Sequence, residues 1–352
     1  MIRRPPRSTQ SRSSAASDVY KRQEDGEADV WSGVQGVGAM QGLVSRFSGI
    51  PLEKVRAHNT YLGGAFGRRG TLTHIVEATE LAVASGKPIH LLWSREDDIR
   101  NGVYRPASLM KMKAGVGSDG KLTAWQAKRV GGNITPKILE NMIPALFPGL
   151  GDSTIEFVVG LSRDVFSGWM VDHSSIEGIS DDYDAPNKVV NHVTVDHNVP
   201  LTFWRSVGHS YTSFAKEGIV DELAEKANID PVEFRLNNTV NNPRLNNVIR
   251  VAQQHMQKMQ PAEGHYLGFA SHNSFMTDVA EIAEVSLKDN VITVHKVTCV
   301  VDCGIAVNPD IVRAQIEGAV MFGLAAALHG DLDPQVGAFT QRNFHDLSLI
   351  HI

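Results

Sequence analysis

Gly63-Gly64-Ala65-Phe66-Gly67-Arg68-Arg69 is the stretch whose reading decides the rest of the chain, because three glycines surround a single aromatic residue. Glycine lacks a Cβ, enters positive φ at little cost and leaves its N–H bare. Such a loop lets a bound group approach the main chain and can cradle an anion or an oxygen ligand of a metal. Arg68 and Arg69 add fixed positive charge beside it. The same residues also suit an ordinary turn between a strand at 55–61 and a helix at 71–84, and spacing alone leaves both readings open. No Gly-Lys-Ser/Thr follows, and the glycines do not have the dinucleotide-binding spacing, so a nicotinamide or nucleotide enzyme is disfavoured.

Working outward from the loop, strand and helix signals alternate. A strand is expected at 30–35, a helix at 39–47, the strand and helix flanking the loop, and a further strand at 89–94. This predicts layered α/β or α+β structure rather than a bundle or sandwich. Two hairpins follow, one around Gly117-Ser118-Asp119-Gly120 between extended runs at 109–130, the other around Lys288-Asp289-Asn290 within 285–301. At 211–227 Ala215, Ile219, Leu223 and Ala227 form an apolar stripe, with Val220 and Ala224 beside it. Glu217, Asp221 and Glu225 make the opposite row, expected to be solvated. Asn308-Pro309-Asp310 reads as a helix start: cap, first-turn proline and a carboxylate at the positive end of the dipole. The segment 131–200 reads as irregular, with no site in it.

Two more segments narrow the function. Trp204-Arg205-Ser206-Val207-Gly208-His209-Ser210 precedes a helix, and Val301-Asp302-Cys303-Gly304-Ile305-Ala306-Val307-Asn308-Pro309-Asp310 leads into Ala314-Gln315-Ile316-Glu317-Gly318-Ala319. With the glycine loop, in this order, they resemble the molybdopterin-binding large subunit of the xanthine dehydrogenase and aldehyde oxidase superfamily. Within it, the match is to the branch of isoquinoline 1-oxidoreductase beta subunits and their aldehyde dehydrogenase relatives. The resemblance covers about 24–346 and is weakest at 133–182.

The resemblance implies molybdenum cofactor-binding domains of that superfamily, a first at 24–250 and part of a second at 251–346. It implies hydroxylation of a carbon next to nitrogen, or of an aldehyde carbon, with water as the oxygen source. The cofactor would be a molybdenum pyranopterin in its cytosine dinucleotide form, and the iron–sulfur clusters would lie on a separate small two-iron, two-sulfur subunit. Molybdenum is then held by the pterin dithiolene, so no side chain is expected to ligate it directly. By the same resemblance Gly63, Gly64, Ala65, Phe66, Gly67 and Arg68 lie against the cofactor, and Gln35, 31 residues before Phe66, donates its amide to an oxygen on the metal. Arg205 falls beside the active site, where a guanidinium stabilises charge on the substrate or a reaction intermediate, with Ser206 next to it; an arginine completing the cap of the helix at 211–227 is the alternative. Gln315 and Glu317 belong to a segment near the pterin, although packing accounts for them equally well; His209 reads better as a cap or surface histidine than as an acid–base group. Gly70 stands where purine-oxidising relatives carry a glutamate that orients substrate, which argues against a xanthine specificity. The general-base glutamate of the family is expected beyond Asp346, and further pterin contacts upstream of Glu24. The competing reading is a folded, non-catalytic fragment or binding module that keeps this architecture without cofactor.

The chain has 352 residues, 42% of them hydrophobic, enough for a sizeable core. The formal net charge is −5, but residues 1–23 hold six basic side chains against one acidic, a local +5 that leaves −10 for the remainder. That balance does not suggest a nucleic-acid face. Residues 1–23 and 347–352 resemble translated sequencing-adapter read-through, so both are expected to be non-native tails on a truncated chain. Bacterial periplasm and cytoplasm are equally compatible with the resemblance. Cys299 and Cys303 lie about 13 Å apart if both are on one strand, too far for a disulfide, and are expected to be small buried side chains. Residues 318–328 form an apolar run of eleven, short of the roughly 20 a membrane span needs, and are expected to be a buried helix. Asn133-Ile134-Thr135 and Asn237-Asn238-Thr239 are formal glycosylation sequons.

Overall fold

Ala28, Val30 and Ser32 alternate with half-buried residues along β2 (Ala28–Ser32) and turn one face fully inward, the period-two pattern of a strand with one covered face. A computed structural model describes residues 16–20, 26–168, 170–195, 198–332, 334–335 and 338–347. β2 runs parallel to β3 (Val55–Asn59), while β1 (Ala16–Tyr20) lies antiparallel between β2 and β4 (Ile89–Leu92), giving the order β3-β2-β1-β4. β1 falls within the stretch expected to be a tail. A strand joins a sheet through main-chain bonds, which any sequence free of proline can supply. Helices α1 (Val37–Ser48) and α2 (Thr73–Ser85) bury Met40, Val44, Ile75 and Ala78 against Val30. α3 (Arg95–Asn101) follows, started by a reciprocal cap between Ser94 and Asp97.

A second layer begins with the hairpin of β5 (Ser108–Val116) and β6 (Leu122–Gly131), closed by Gly117 N donating to Lys121 O at 2.8 Å. β7 (Lys188–Thr194) adds parallel to β6. Trp125 and Leu122 of β6 pack with Val220, Leu223 and Ala224 of α6 (His209–Ala227), the stripe expected from periodicity. α7 (Pro231–Asn237) and α8 (Pro243–Met256) lead to the antiparallel meander β8 (His265–Ser274), β9 (Thr277–Lys288) and β10 (Val291–Asp302). Asp289 and Asn290 both take positive φ at its second turn, as a two-residue hairpin demands. α9 (Pro309–Leu328) opens as expected, with Asn308 Oδ1 accepting from Asp310 N and Ile311 N.

Four expectations are corrected. The segment 131–200 is ordered into α4 (Thr135–Leu146), α5 (Asp152–Gly168) and β7. The start of α4 is capped from a distance: buried Asp172 accepts from Ile134 N at 2.6 Å, Thr135 N at 3.2 Å and the Thr135 hydroxyl, so no local cap announces it. The Asn133 amide is buried and donates to Phe166 O and Thr194 Oγ1, a structural role inside the fold. Glu217 is buried rather than solvated: Arg235 of α7, the Tyr183 hydroxyl and Ser271 N of β8 all donate to it, because α7 and β8 cover that side of α6. No residue of α9 is buried. Its polar residues Asp310, Arg313, Gln315 and Glu317 fill the N-terminal half, so although 20 residues at a mean hydropathy of 1.5 match a membrane span by length and composition, the apolar half remains 318–328. Finally, Cys299 and Cys303 are free but half-buried, with the Cys299 thiol donating toward Glu281 and held up at about 12 by burial and that carboxyl.

α1 meets α4 at Gly42, where a Cβ would overlap the Ala145 carbonyl. Helix propensity alone predicts that Gly42→Ala stabilises by about 1 kcal/mol. The contact reverses the sign: the variant is expected to lose about 1–3 kcal/mol by overpacking against backbone, read as a lower midpoint in thermal or urea unfolding. A raised midpoint would show that α4 does not sit on α1.

Candidate functional site

The glycine loop leaves β3 and turns through left-handed conformations at Gly63 (φ 65°), Phe66 (φ 53°) and Gly67 (φ 80°), closing in a single 3₁₀ turn, Arg68–Gly70. The Phe66 ring is held 51% exposed, an unfavourable posture for a large apolar side chain unless it serves a surface. At Gly67 a Cβ would overlap the Phe203 carbonyl, so only glycine lets the loop lie directly against the segment 202–207. Thr71 and Thr202 join the two segments by a buried hydroxyl pair at 2.5 Å. From that segment Arg205 projects over the Phe66 ring at 5.6 Å and over Phe322 of α9 at 5.3 Å.

These side chains wall a cavity of about 550 Å³, completed by Ala314, Gln315, Gly318, Met321 and Ala325. It offers one guanidinium, one primary amide and aromatic faces, a set suited to a planar group that carries negative charge. Residues 315, 318, 322 and 325 fall on one helical face, so Phe322 was findable from Gln315 by helical spacing. Met321, Thr71 and Thr202 carry no such signal.

Of the residues singled out in the sequence, the structure brings Phe66, Arg205 and Gln315 together. Gly63, Gly64, Ala65 and Gly67 shape the loop without lining the cavity; a Cβ on Gly64 would stand 2.8 Å from the Phe66 ring. Gln35 is exposed beside the same turn, its N–H donating to Arg69 O at 3.2 Å, and does not line the cavity. Arg68 is buried and turned inward, donating to Thr71 O and Asp98 and lying over Trp93 at 5.7 Å. The Ser206 hydroxyl donates to Arg205 O, and Glu317 lies outside the cavity. His209 is half-buried at the start of α6, with Nδ1 2.9 Å from His272 Nε2. Burial, then His272 and Lys216, hold its pKa down at about 4, so the imidazole is neutral near pH 7.

Two family models describing a molybdopterin cofactor-binding domain match the chain, one over 15–133 and 160–239 and the other over 213–352. The chain belongs to this family. It is 30% identical over 343 residues to the beta chain of isoquinoline 1-oxidoreductase from Brevundimonas diminuta, covering 96% of this chain and 41% of that one. It is 28% identical over 320 residues to a nicotinate dehydrogenase subunit of Pseudomonas putida, covering 84% and 25% respectively. The chain therefore spans less than half the length of these relatives. Among solved structures, aldehyde oxidoreductase from Desulfovibrio gigas superposes with a TM-score of 0.54 at 20% identity over 80% of this chain and 31% of that one, a likeness of fold. Quinoline 2-oxidoreductase from Pseudomonas putida 86 does so at 0.55 and 18%, over 77% and 33%.

The fold keeps a neutral histidine beneath the loop. His74 of α2 is fully buried, and burial followed by Arg68 and Arg69 lowers its pKa from 6.5 to about 3. A depressed histidine pKa means that the unfolded chain binds the extra proton first. The associated stability is complete above pH 6.5 and is lost as pH falls from there toward 3. At pH 5 His74 alone should cost about 2 kcal/mol. Unfolding free energies measured from pH 8 to pH 4 are expected to fall along this course, with a shallower slope in His74→Gln; an unchanged slope would show that His74 titrates normally in the fold.

Proposed function

We propose that this chain is the central part of the large subunit of a molybdenum hydroxylase, which oxidises an N-heterocycle or an aldehyde at carbon using water as the oxygen source. One observation carries the reading: Arg205 lies over both Phe66 of the glycine loop and Phe322 of α9, beside Gln315, in one cavity of a chain built from two molybdopterin cofactor-binding domains. Gly63 and Gly318 have open space where a Cβ would stand, so a large group can come close to their backbone. The residues present thus fit a molybdenum pterin. The loop 63–67 and Gln315 would hold it, and the resemblance adds Gln35, which stands beside the loop's turn but outside the cavity; the inward-facing Arg68 fixes the loop rather than reaching the cofactor.

The cofactor, when bound, supplies a two-electron acceptor for the oxidation. The chain's own residues do the rest. Arg205 holds a positive charge at the cavity wall, where it favours substrates and transition states that gather negative charge on a ring nitrogen or a carbonyl oxygen. Phe66 and Phe322 give flat faces for a planar substrate, and Met321 and Ala325 add apolar surface beside them. We assign the two cofactor-binding units to 24–250 and 251–346 and the pterin to its cytosine dinucleotide form. With only two cysteines, these 352 residues lack the thiolates of an iron–sulfur cluster, so such a centre would sit on another chain or in sequence outside them; we assign it to a separate two-iron, two-sulfur subunit that accepts the electrons. A glutamate C-terminal to Asp346 would act as general base, so the 352 residues alone are not expected to turn over.

The test is a complete large subunit purified with its small partner. Stoichiometric molybdenum and water-derived oxygen in a hydroxylated N-heterocycle or a carboxylic acid are the expected results. Gly67→Val should abolish both metal retention and turnover, because its side chain would meet the Phe203 carbonyl and its backbone would be forced into positive φ. A complex free of molybdenum would favour the non-catalytic binding module instead.

A further inference from the structure

The turn that presents Arg205 is strained. Ser206 and Val207 take φ of 66° and 45°, and a β-branched residue in the left-handed region is an outlier that the surroundings must impose. Within the turn, closure comes from Val207 N donating to Trp204 O at 2.7 Å. The imposing group stands a hundred residues away. Arg105 Nη2 donates to Arg205 O at 2.9 Å, and Nη1 donates to Val207 O at 3.0 Å and to Ser210 Oγ at 2.6 Å. The carbonyls on either side of the strained pair thus converge on one guanidinium, whose planar fork can hold two acceptors in fixed relation. The backbone bearing Arg105 is itself laid along the same segment: Tyr104 N donates to Pro200 O, Thr202 N to Tyr104 O and the Trp204 indole to Val103 O.

We propose that Arg105 is a positioning residue that fixes the Arg205 guanidinium over the cavity by tying down the turn from which it projects. The proposal rests on the reading of Arg205 as a functional residue given above. Burial of the Arg105 guanidinium agrees with it, since a desolvated cation without its acceptors would be costly, and that burial draws its pKa below the ordinary value. Without Arg105 the two carbonyls keep only the neighbouring hydroxyls, Ser206 on Arg205 O and Ser210 on Val207 O, which do not tie one carbonyl to the other; the strained pair relaxes, and the cation leaves the faces of Phe66 and Phe322.

The experiment uses the complete, cofactor-loaded protein with Arg105→Ala, Arg105→Lys and Arg205→Ala, followed by amide hydrogen exchange and steady-state kinetics. In Arg105→Ala, exchange at 204–207 should accelerate about tenfold or more while α2 and α8 keep their protection, the signature of a local opening. kcat should fall about tenfold to 10²-fold, as a displaced catalytic geometry does, with KM little changed. Added methylguanidinium should reverse part of both effects, and Arg105→Lys should lie between, since an ammonium cannot span the three acceptors. Arg105→Ala combined with Arg205→Ala should be no slower than Arg205→Ala alone. Unchanged exchange at 204–207, or acceleration spread evenly across the fold, would overturn the proposal. If Arg105→Ala does not fold, wild-type exchange and turnover in Arg105→Lys would overturn it equally. Full turnover in Arg205→Ala would instead bring down the reading of Arg205, while local exchange in Arg105→Ala still decides whether the clamp exists.

Discussion

The missing side chain of Gly67 is the constraint on which the cavity depends. Because nothing projects from its α-carbon, the loop lies against the Phe203 carbonyl, and that approach brings Phe66 beneath Arg205. Any other residue would carry two penalties at once, a left-handed backbone and an overlap with main-chain oxygen, neither of which a rotamer change relieves. The Thr71–Thr202 hydroxyl pair then prevents the two segments from sliding past one another. The position of the aromatic ring is therefore set by backbone sterics and not by the packing of the ring itself, which is consistent with its exposure.

α6 carries this local arrangement into the rest of the molecule. It starts at His209, four residues after Arg205, and its polar side is buried in two paired clusters. In one, Lys216 meets Asp182 and donates to His272 of β8; in the other, Glu217 gathers Arg235, Tyr183 and Ser271. Burial pushes the Asp182 carboxyl up, but Lys216 and His272 outweigh it and hold it down at about 2, so the carboxylate is ionised at neutral pH. Removing one member of such a pair typically costs about 3–5 kcal/mol, because the other is left charged and unpaired. Such clusters tolerate little displacement. The helix following the Arg205 turn is therefore fixed within its first three turns to both β8 and α7.

Much of this was legible in the sequence where the signal is local. The hairpin turns, the Asn308 cap, the apolar stripe of α6 and the glycine loop all depend on residues within a few positions of one another. What escaped depends on partners far along the chain. Asp172 caps α4 from 38 residues away, so a helix start at Thr135 had no cap of its own to show. Glu217 looked like surface because its row is acidic, and the covering elements α7 and β8 could not be read from α6 alone. At the candidate site, Phe66, Arg205 and Gln315 could be named from their motifs. The inward turn of Arg68 could not, because it depends on Asp98 and Trp93 lying behind the loop.

Arg68, Arg69, Arg105 and Arg205 belong to or touch the loop and the Arg205 turn, and their neighbours separate structural charge from available charge. Arg68 donates to a carbonyl and a carboxylate, Arg69 to Gly33 O, and Arg105 to two carbonyls and a hydroxyl. In each, one or more in-plane N–H groups are engaged by protein oxygen. Arg205 is held differently, by the faces of two aromatic rings. A ring supports a guanidinium through its π face and leaves the in-plane donors directed elsewhere. Aromatic support thus fixes the position of a cation while preserving its hydrogen-bonding capacity, which a carboxylate partner would consume and partly neutralise. A cavity built to bind a charged or polarised group requires that combination, and Arg205, supported by Phe66 and Phe322, supplies it.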